Sequence, residues 1–216
     1  MFVYPPQSLV DRVMPKNMIY KNIRVSTALK NQFVSQVKEI VWKYKLSENT
    51  INLAPKDGVA EIQVFEITLK TPDLSHNVLK IIDKAIPYPI FYRLYYQKSI
   101  NCIVAYKRPS ESDAGKWVIQ DYFETGWDHW ESRKKPLPVG LDLKSLYDQM
   151  MMYYVGLVPR DQETIVELID RMQQIRKTEK KLYLLEAKMA KEIQFNRKVE
   201  INAQLRILKQ ELQRLQ

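Results

Sequence analysis

The sequence predicts an α+β globular head followed by a long C-terminal coiled-coil helix. Segments rich in β-branched and aromatic residues between positions 61 and 124 predict a mixed, largely antiparallel sheet of four or five strands. Helical patterns lie before, within and after these segments, which is typical of the α+β class. After Pro159 the chain contains neither Gly nor Pro, and apolar residues recur at helical spacing to its end. We therefore expect two domains, a head at 1–155 and an arm at 156–216.

The first part of the head should be helical. A short helix is expected at residues 8–13, and a second helix, capped by Ser26 or Thr27, should continue to residue 44. The apolar residues of the second helix lie at a spacing that places them on one face: Phe33, Val37, Ile40, Val41 and Tyr44.

Residues 61–70 form the predicted central strand, because apolar residues occupy both of its faces. Pro72 ends this strand, and Asp73 or Ser75 should cap a helix whose apolar face ends at Ile86. Strands at 90–97, 100–107 and 116–124 follow, and the short turn at 98–99 should join the first two as a hairpin. Asp142 should cap the last helix of the head, at residues 143–154.

The arm reads as one uninterrupted helix of about 50 residues, roughly 75 Å long, with Asp161 as its N-cap. Its apolar residues follow a 4–3 spacing with one discontinuity, eight residues instead of seven between Ile193 and Ile201. A helix of this length must project or pair with another helix, so we expect pairing with a partner or a second copy. A fold-back near residues 195–199 remains open. The predicted coiled-coil interface consists of Leu168, Met172, Ile175, Leu182, Met189, Ile193, Ile201, Leu205, Leu208, Leu212 and Leu215.

The composition favours an anionic partner in a reducing compartment. The formal net charge is +9, shared between the head and the arm. The single cysteine, Cys102, excludes an intramolecular disulfide and suits the cytoplasm. The chain shows no signal peptide and no apolar stretch long enough to span a bilayer, so we expect no membrane partner.

No catalytic motif is well formed in the sequence. The two histidines and one cysteine have no zinc-site spacing, and no glycine-rich phosphate loop is present, so we expect neither metal nor cofactor. A metal-dependent nuclease is the one enzymatic alternative, with Asp57, Glu66 and Lys70 around the central strand as its candidates. Such sites place the acid and the lysine two residues apart, whereas Glu66 and Lys70 are four apart. The sequence therefore favours a non-enzymatic protein.

Basic residues beside aromatic ones predict contact with nucleic acid in two regions. In the head, a tryptophan-containing loop could stack a base and hold phosphates. In the arm, residues 171–198 carry nine Lys/Arg against three Asp/Glu. The alternative is that the tryptophans pack the loop down and the charges only solvate the chain. The candidates are Trp127, Trp130, Arg133, Lys134 and Lys135 in the head, and Arg171, Arg176, Lys177, Lys180, Lys181, Arg197 and Lys198 in the arm.

Several phrases resemble a known bacterial family. They are Val-Trp-Lys-Tyr-Lys-Leu from Val41, Glu-Ile-Gln-Val-Phe-Glu-Ile from Glu61, Ile-Asp-Lys-Ala-Ile-Pro from Ile82, Ala-Tyr-Lys-Arg-Pro-Ser from Ala105, and Gln-Phe-Asn-Arg-Lys-Val-Glu-Ile-Asn from Gln194. The chain is similar to the family of domains of unknown function numbered 4391. The resemblance implies companions among helicases and DNA methyltransferases of restriction-like or antiphage defence islands, and it implies no catalytic residues.

The resulting functional hypothesis is a non-catalytic accessory or assembly subunit of a bacterial DNA-processing complex. It would associate through its C-terminal coiled coil with a helicase-like or methyltransferase subunit, or with a second copy, and contact nucleic acid through its basic surface. Two alternatives remain: a magnesium-dependent nuclease-like head, active or degenerate, and a pure protein–protein adaptor.

Overall fold

The computed structural model describes residues 1–20, 25–109, 117–129 and 134–216. The chain divides into two compact units, Met1–Tyr154 and Val155–Gln216. Within the described residues, no helix combines the length and the apolar character that crossing a membrane requires.

A seven-stranded sheet forms the centre of the first unit. Its main path runs in chain order through β2 (Leu9–Val13), β3 (Val37–Ser47), β4 (Glu61–Leu69), β5 (Ile90–Tyr96), β6 (Ser99–Pro109) and β7 (Trp117–Glu124), with β8 (Asp128–His129) also paired to β6. The pair β4–β5 is parallel and the other pairs of this sheet are antiparallel. The prediction of a mixed, largely antiparallel sheet is confirmed, but the sheet has more strands than the four or five expected.

A separate parallel pair lies beside this sheet. Strand β1 (Phe2–Val3) pairs with β9 (Lys135–Pro136), so that Phe2 is aligned with Lys135. This pairing joins two segments that are far apart in sequence.

Helices cover both faces of the large sheet. Besides a 3₁₀ turn (Pro6–Ser8), the first unit contains α1 (Lys16–Tyr20), α2 (Thr27–Gln36), α3 (Glu48–Ile51), α4 (His76–Ala85) and α5 (Leu143–Val155). One face buries α2 and α4 against Phe65 and Tyr92. On the opposite face, Phe91 lies against Tyr147 and Tyr154 of α5. Burial of β4 on both sides, as its sequence predicts, follows from these two helical layers.

The helix predicted from residue 26 to residue 44 is wrong in its second half. It ends at Gln36, and β3 begins at Val37 and pairs with β4 along its length. A register shift between Trp42 and Tyr44 interrupts the two-residue alternation of the strand, which made the apolar spacing resemble that of a helix. The helix expected at 8–13 is likewise a strand, β2, because it pairs with β3.

The second unit is a helical hairpin. Helix α6 (Ile165–Lys191) and helix α7 (Phe195–Leu215) have 27 and 21 residues and are joined by residues 192–194. The Glu192 carboxylate accepts hydrogen bonds from the backbone N–H groups of Ile193 and Gln194, at 2.9 and 3.0 Å. The single uninterrupted helix is therefore wrong, and the fold-back left open from the sequence is the observed arrangement. The observed connection lies just before the expected position near residues 195–199, which belong to the first turns of α7.

Most of the apolar seam of the arm is packed between the two helices of this hairpin. Leu182, Ile201 and Leu205 are buried in one cluster, with Met189, Leu208 and Leu212 packed against it. Leu168 and Ile175 are buried, Met172 and Leu215 are half-buried, and Ile193 is 92% exposed. The hairpin covers the same seam that a second chain would cover in an intermolecular coiled coil. The coiled coil therefore stays a prediction.

The cap of α6 differs from the predicted one. Thr164, rather than Asp161, accepts the hydrogen bond from Glu167 N, and the Glu167 carboxylate accepts from Thr164 N at 2.9 Å. This reciprocal pair is a capping box, which satisfies two helix-terminal N–H donors at once.

Candidate nucleic-acid interface

The basic residues predicted in the arm are exposed, with one exception. Residues 176–198 include eight Lys/Arg and three Asp/Glu, and all eight basic residues are exposed. Because the apolar seam lies between the two helices, these cations occupy the outer surface of the hairpin. The exposed predicted residues are Arg176, Lys177, Lys180 and Lys181 on α6, and Arg197 and Lys198 on α7.

Arg171 has a structural position instead. It is 5% exposed, and its guanidinium donates to both carboxylate oxygens of Glu163, at 2.7 Å each. It also donates to the backbone carbonyls of Val158 and Leu215, at 2.8 and 2.9 Å. This side chain joins the end of α7 to the start of α6, so it does not present its charge to a phosphate.

The connection between the two helices carries exposed apolar residues among the cations. Ile193 is 92% exposed and Phe195 is 77% exposed. Lys188 and Lys191 precede them, and Arg197 follows. Exposed apolar groups of this size beside positive charge are typical of an interaction surface.

In the head, Trp127 is a partly exposed side chain. It is 42% exposed and its ring meets Tyr96 edge-on, with centroids 6.5 Å apart. It lines a pocket of about 370 Å³ that also contains Asn101 and Glu124. The neighbouring candidates Trp130 and Arg133 lie outside the described residues.

The two lysines after that loop differ in environment. Lys134 is exposed and lines a different pocket from that of Trp127. The Lys135 ammonium lies 3.0 Å from the ring centroid of Tyr153 and 5.4 Å from that of Phe2. Partial burial lowers the pKa of Lys135. Its charge is therefore directed at aromatic rings within the first unit.

The three nuclease candidates have separate surroundings. Asp57 is exposed in the turn before β4, where Lys56 and Val59 are bridged. Glu66 accepts from Arg93 Nη1 at 3.3 Å and from Tyr95 Oη at 3.2 Å. Lys70 donates to the Val34 carbonyl at 2.7 Å, so Glu66 and Lys70 form no charge pair with each other.

Metal chemistry gains no further support from the described part of the chain. No group of three or more His, Cys, Asp or Glu side chains converges there to hold a metal ion.

Arg93 was not among the predicted site residues. It is 7% exposed at the middle of β5, and it lines a pocket of about 260 Å³ with the aromatic rings of Tyr4, Tyr44 and Tyr95. The signal was present in the strand Ile-Phe-Tyr-Arg-Leu-Tyr-Tyr, where one charge interrupts an apolar and aromatic run. Because a buried charge is costly unless it is paired, an arginine in such a strand is a candidate for a structural or binding role.

The fold and the exposed charges together define a protein with one α+β domain and one basic helical hairpin. The family model described as "Domain of unknown function (DUF4391)" matches residues 2–212, and the chain therefore belongs to this family. No curated protein and no solved structure matches the chain.

Proposed function

We propose that this protein is a non-catalytic subunit of a nucleic-acid-processing complex, and that its arm contacts nucleic acid. The observation that carries the proposal is the outer surface of the hairpin. Its seam is buried between α6 and α7, and between residues 176 and 198 eight basic residues are exposed against two exposed acidic ones, Glu179 and Glu186. A rod with a surplus of positive charge attracts the phosphate backbone of nucleic acid and releases its counterions.

The family resemblance supplies the biological setting of the proposal. It implies partners among helicases and DNA methyltransferases of restriction-like or antiphage defence systems, and the single cysteine suits a location in the cytoplasm. A subunit whose described residues include no cluster of three or more metal-ligating side chains fits such a setting, because the partners would supply the chemistry.

The test measures binding of labelled duplex and single-stranded DNA by the full chain across a salt series with Mg²⁺ present. The variant Lys180→Glu/Lys181→Glu/Lys188→Glu reverses three exposed charges on α6. We expect steep salt dependence for the natural chain. For the variant, the log–log slope should be shallower by about 1 for each phosphate that it no longer neutralises. The DNA should stay intact.

A matched control changes the net charge of the chain by the same amount as the arm variant, but in the first unit. Lys38→Glu/Lys80→Glu/Lys84→Glu reverses three exposed charges of the first unit. Equal weakening by the two triple variants would show that net charge alone matters, and the arm would lose its assigned role. Cleavage of the DNA by the natural chain would replace the proposal with the nuclease alternative.

A second candidate function is favoured by the exposed apolar residues at the hairpin connection. Ile193 and Phe195 are nearly uncovered, and burying such side chains is a main source of free energy in protein association. A homodimer through this end of the arm is the arrangement to test. Sedimentation should then give a dimer for the natural chain and a monomer for Ile193→Ser/Phe195→Ser, and a monomer for both would reject it.

A further inference from the structure

A pocket in the first unit combines a buried arginine with aromatic walls. We define the Arg93 pocket by Phe2, Tyr4, Tyr44, Arg93, Tyr95 and Lys134, which line a space of about 260 Å³. It lies on the face of the sheet opposite α2 and α4, because Arg93 alternates with the buried Tyr92 of that other face.

The arginine is held in a fixed position. Its Nη2 donates to the Phe2 carbonyl at 2.6 Å, and its Nη1 donates to Glu66 Oε1 at 3.3 Å. Its Cζ atom lies 4.8 Å from the Tyr4 ring centroid and 5.6 Å from that of Tyr44. A guanidinium held by hydrogen bonds and aromatic rings has lost its rotamer freedom before any ligand arrives, which favours tight recognition.

The charge of the pocket is positive. Arg93 and Lys134 are the side-chain cations of its lining, and the described residues of that lining include no carboxylate side chain. Glu66, which compensates part of the Arg93 charge, also lies 3.9 Å from Lys43 Nζ. Lys134 is exposed and has no ion-pair partner among the residues that the structure describes. Within the part of the chain that the structure describes, the charge of Lys134 in this lining is therefore not compensated by a carboxylate.

The ligand class follows from these donors. Arginine and lysine together recognise phosphate, which offers three terminal oxygens, whereas a carboxylate offers two. The Tyr4, Tyr44 and Phe2 side chains add flat apolar surface of the kind that contacts a sugar or a base. A volume near 260 Å³ suits a small group and excludes a duplex.

We propose that the Arg93 pocket binds a phosphate monoester, with Lys134 and Arg93 contacting the phosphate. The group would be that of a free nucleotide or of the phosphorylated end of a nucleic-acid strand. This site is independent of the arm, because every residue of its lining belongs to the first unit.

The test uses the full chain and calorimetric titration with adenosine 5′-monophosphate, adenosine and inorganic phosphate. We expect the monophosphate to bind at least tenfold more tightly than adenosine. Lys134→Ala should weaken it about tenfold or more, as for the removal of one charge-assisted hydrogen bond. Lys38→Ala, an exposed lysine on β3, is the control and should leave the affinity unchanged.

Two short oligonucleotides, one with a 5′-phosphate and one with a 5′-hydroxyl, distinguish the two sources. Stronger binding of the phosphorylated strand than of the mononucleotide assigns the site to strand ends, and equal binding assigns it to nucleotides. The Lys180→Glu/Lys181→Glu/Lys188→Glu variant should keep its affinity for the monophosphate, which separates this site from the function proposed for the arm.

Three results would overturn the assignment: no binding of the monophosphate at millimolar concentration, equal affinity for adenosine, or no effect of Lys134→Ala. Because Lys134 is exposed, its substitution should not unfold the chain. Arg93→Lys provides a second variant that retains the charge but removes the planar fork, and we expect weaker phosphate binding from it as well.

Discussion

Lys107 on β6 and Asp83 on α4 form an ion pair that is completely buried. The Lys107 Nζ lies 2.8 Å from Asp83 Oδ1, and both side chains have 0% exposure. The same ammonium donates to the backbone carbonyls of Asp83, Ile86 and Tyr88, at 3.2, 3.1 and 2.7 Å. It therefore satisfies carbonyls at the C-terminal end of α4 and fastens that helix to the sheet.

Replacement of Lys107 by Met should strongly destabilise the first unit. The substitution leaves the Asp83 carboxylate buried beside Tyr122 Oη without its cation, and breaking a buried pair in this way costs about 3–5 kcal/mol. The measurement is the free energy of unfolding in urea. Lys84→Met, at an exposed position of the same helix, should change it by less than about 0.5 kcal/mol. Equal effects of the two substitutions would refute the importance of the pair.

The arm should lose stability in acid through Glu163. The hydrogen bond from Arg171 is the main cause that lowers the pKa of Glu163 to about 2, below its usual 4.5. A carboxyl with a lowered pKa stabilises the fold above its unfolded pKa, and this contribution disappears as the pH falls from 4.5 towards 2. We expect a loss of about 1–2 kcal/mol over that range, because solvent near the carboxylate screens part of the interaction.

The check is thermal unfolding of the natural chain and of Glu163→Gln between pH 2 and pH 7. The glutamine variant should be less stable at pH 7 and should lose less on acidification. Parallel curves for the two proteins would show that another group governs the acid response.

Two residues of α7 that are two positions apart should differ in their response to truncation. Leu205 is 6% exposed in the seam, whereas Ile207 is 63% exposed on the outer surface. Leu205→Ala should therefore destabilise the hairpin by about 2–3 kcal/mol, and Ile207→Ala by less than about 0.5 kcal/mol. Circular dichroism during thermal unfolding measures both. A larger effect at Ile207 would mean that the outer surface, not the inner seam, holds the arm together.

The first turn of α6 should depend on Thr164 and not on Asp161. Thr164→Ala removes the capping box with Glu167 and should cost about 1 kcal/mol. Asp161 is exposed and lies before that cap, so Asp161→Ala should have little effect. Chemical denaturation of the two variants decides between them, and the reverse order would restore the cap predicted from the sequence.

The elements with a single strong signal were predictable. The residues of β4 are apolar on both faces, and Asp142 caps α5 by accepting from Ser145 N at 2.7 Å. Strand β3 was not predictable, because the register shift between Trp42 and Tyr44 interrupts the strand alternation and makes the apolar spacing resemble that of a helix. Sheet pairing outweighs local pattern there, and pairing is a long-range property that one segment does not reveal.

The candidate sites divide in the same way. A run of lysines in a helical segment predicts exposed charge, and Lys177, Lys180 and Lys181 are exposed. Arg171 has the same residue chemistry, but the hairpin brings Glu163 and Leu215 to it and buries it. The Arg93 pocket was beyond prediction because its walls come from β1, β3 and β5, which only the folded sheet brings together.

The parallel pairing of β1 with β9 has a consequence for synthesis of the chain. Phe2 leaves the ribosome before its partner, Lys135, which is 133 residues later in the sequence. At translation rates of about 5–20 residues per second, the first strand must wait roughly 7–27 s before that partner exists. Closing so long a loop is also a slow event in folding, because its entropy is lost before its contacts form. Strand β1 can therefore pair only after β9 has been made, and one wall of the Arg93 pocket is completed only then.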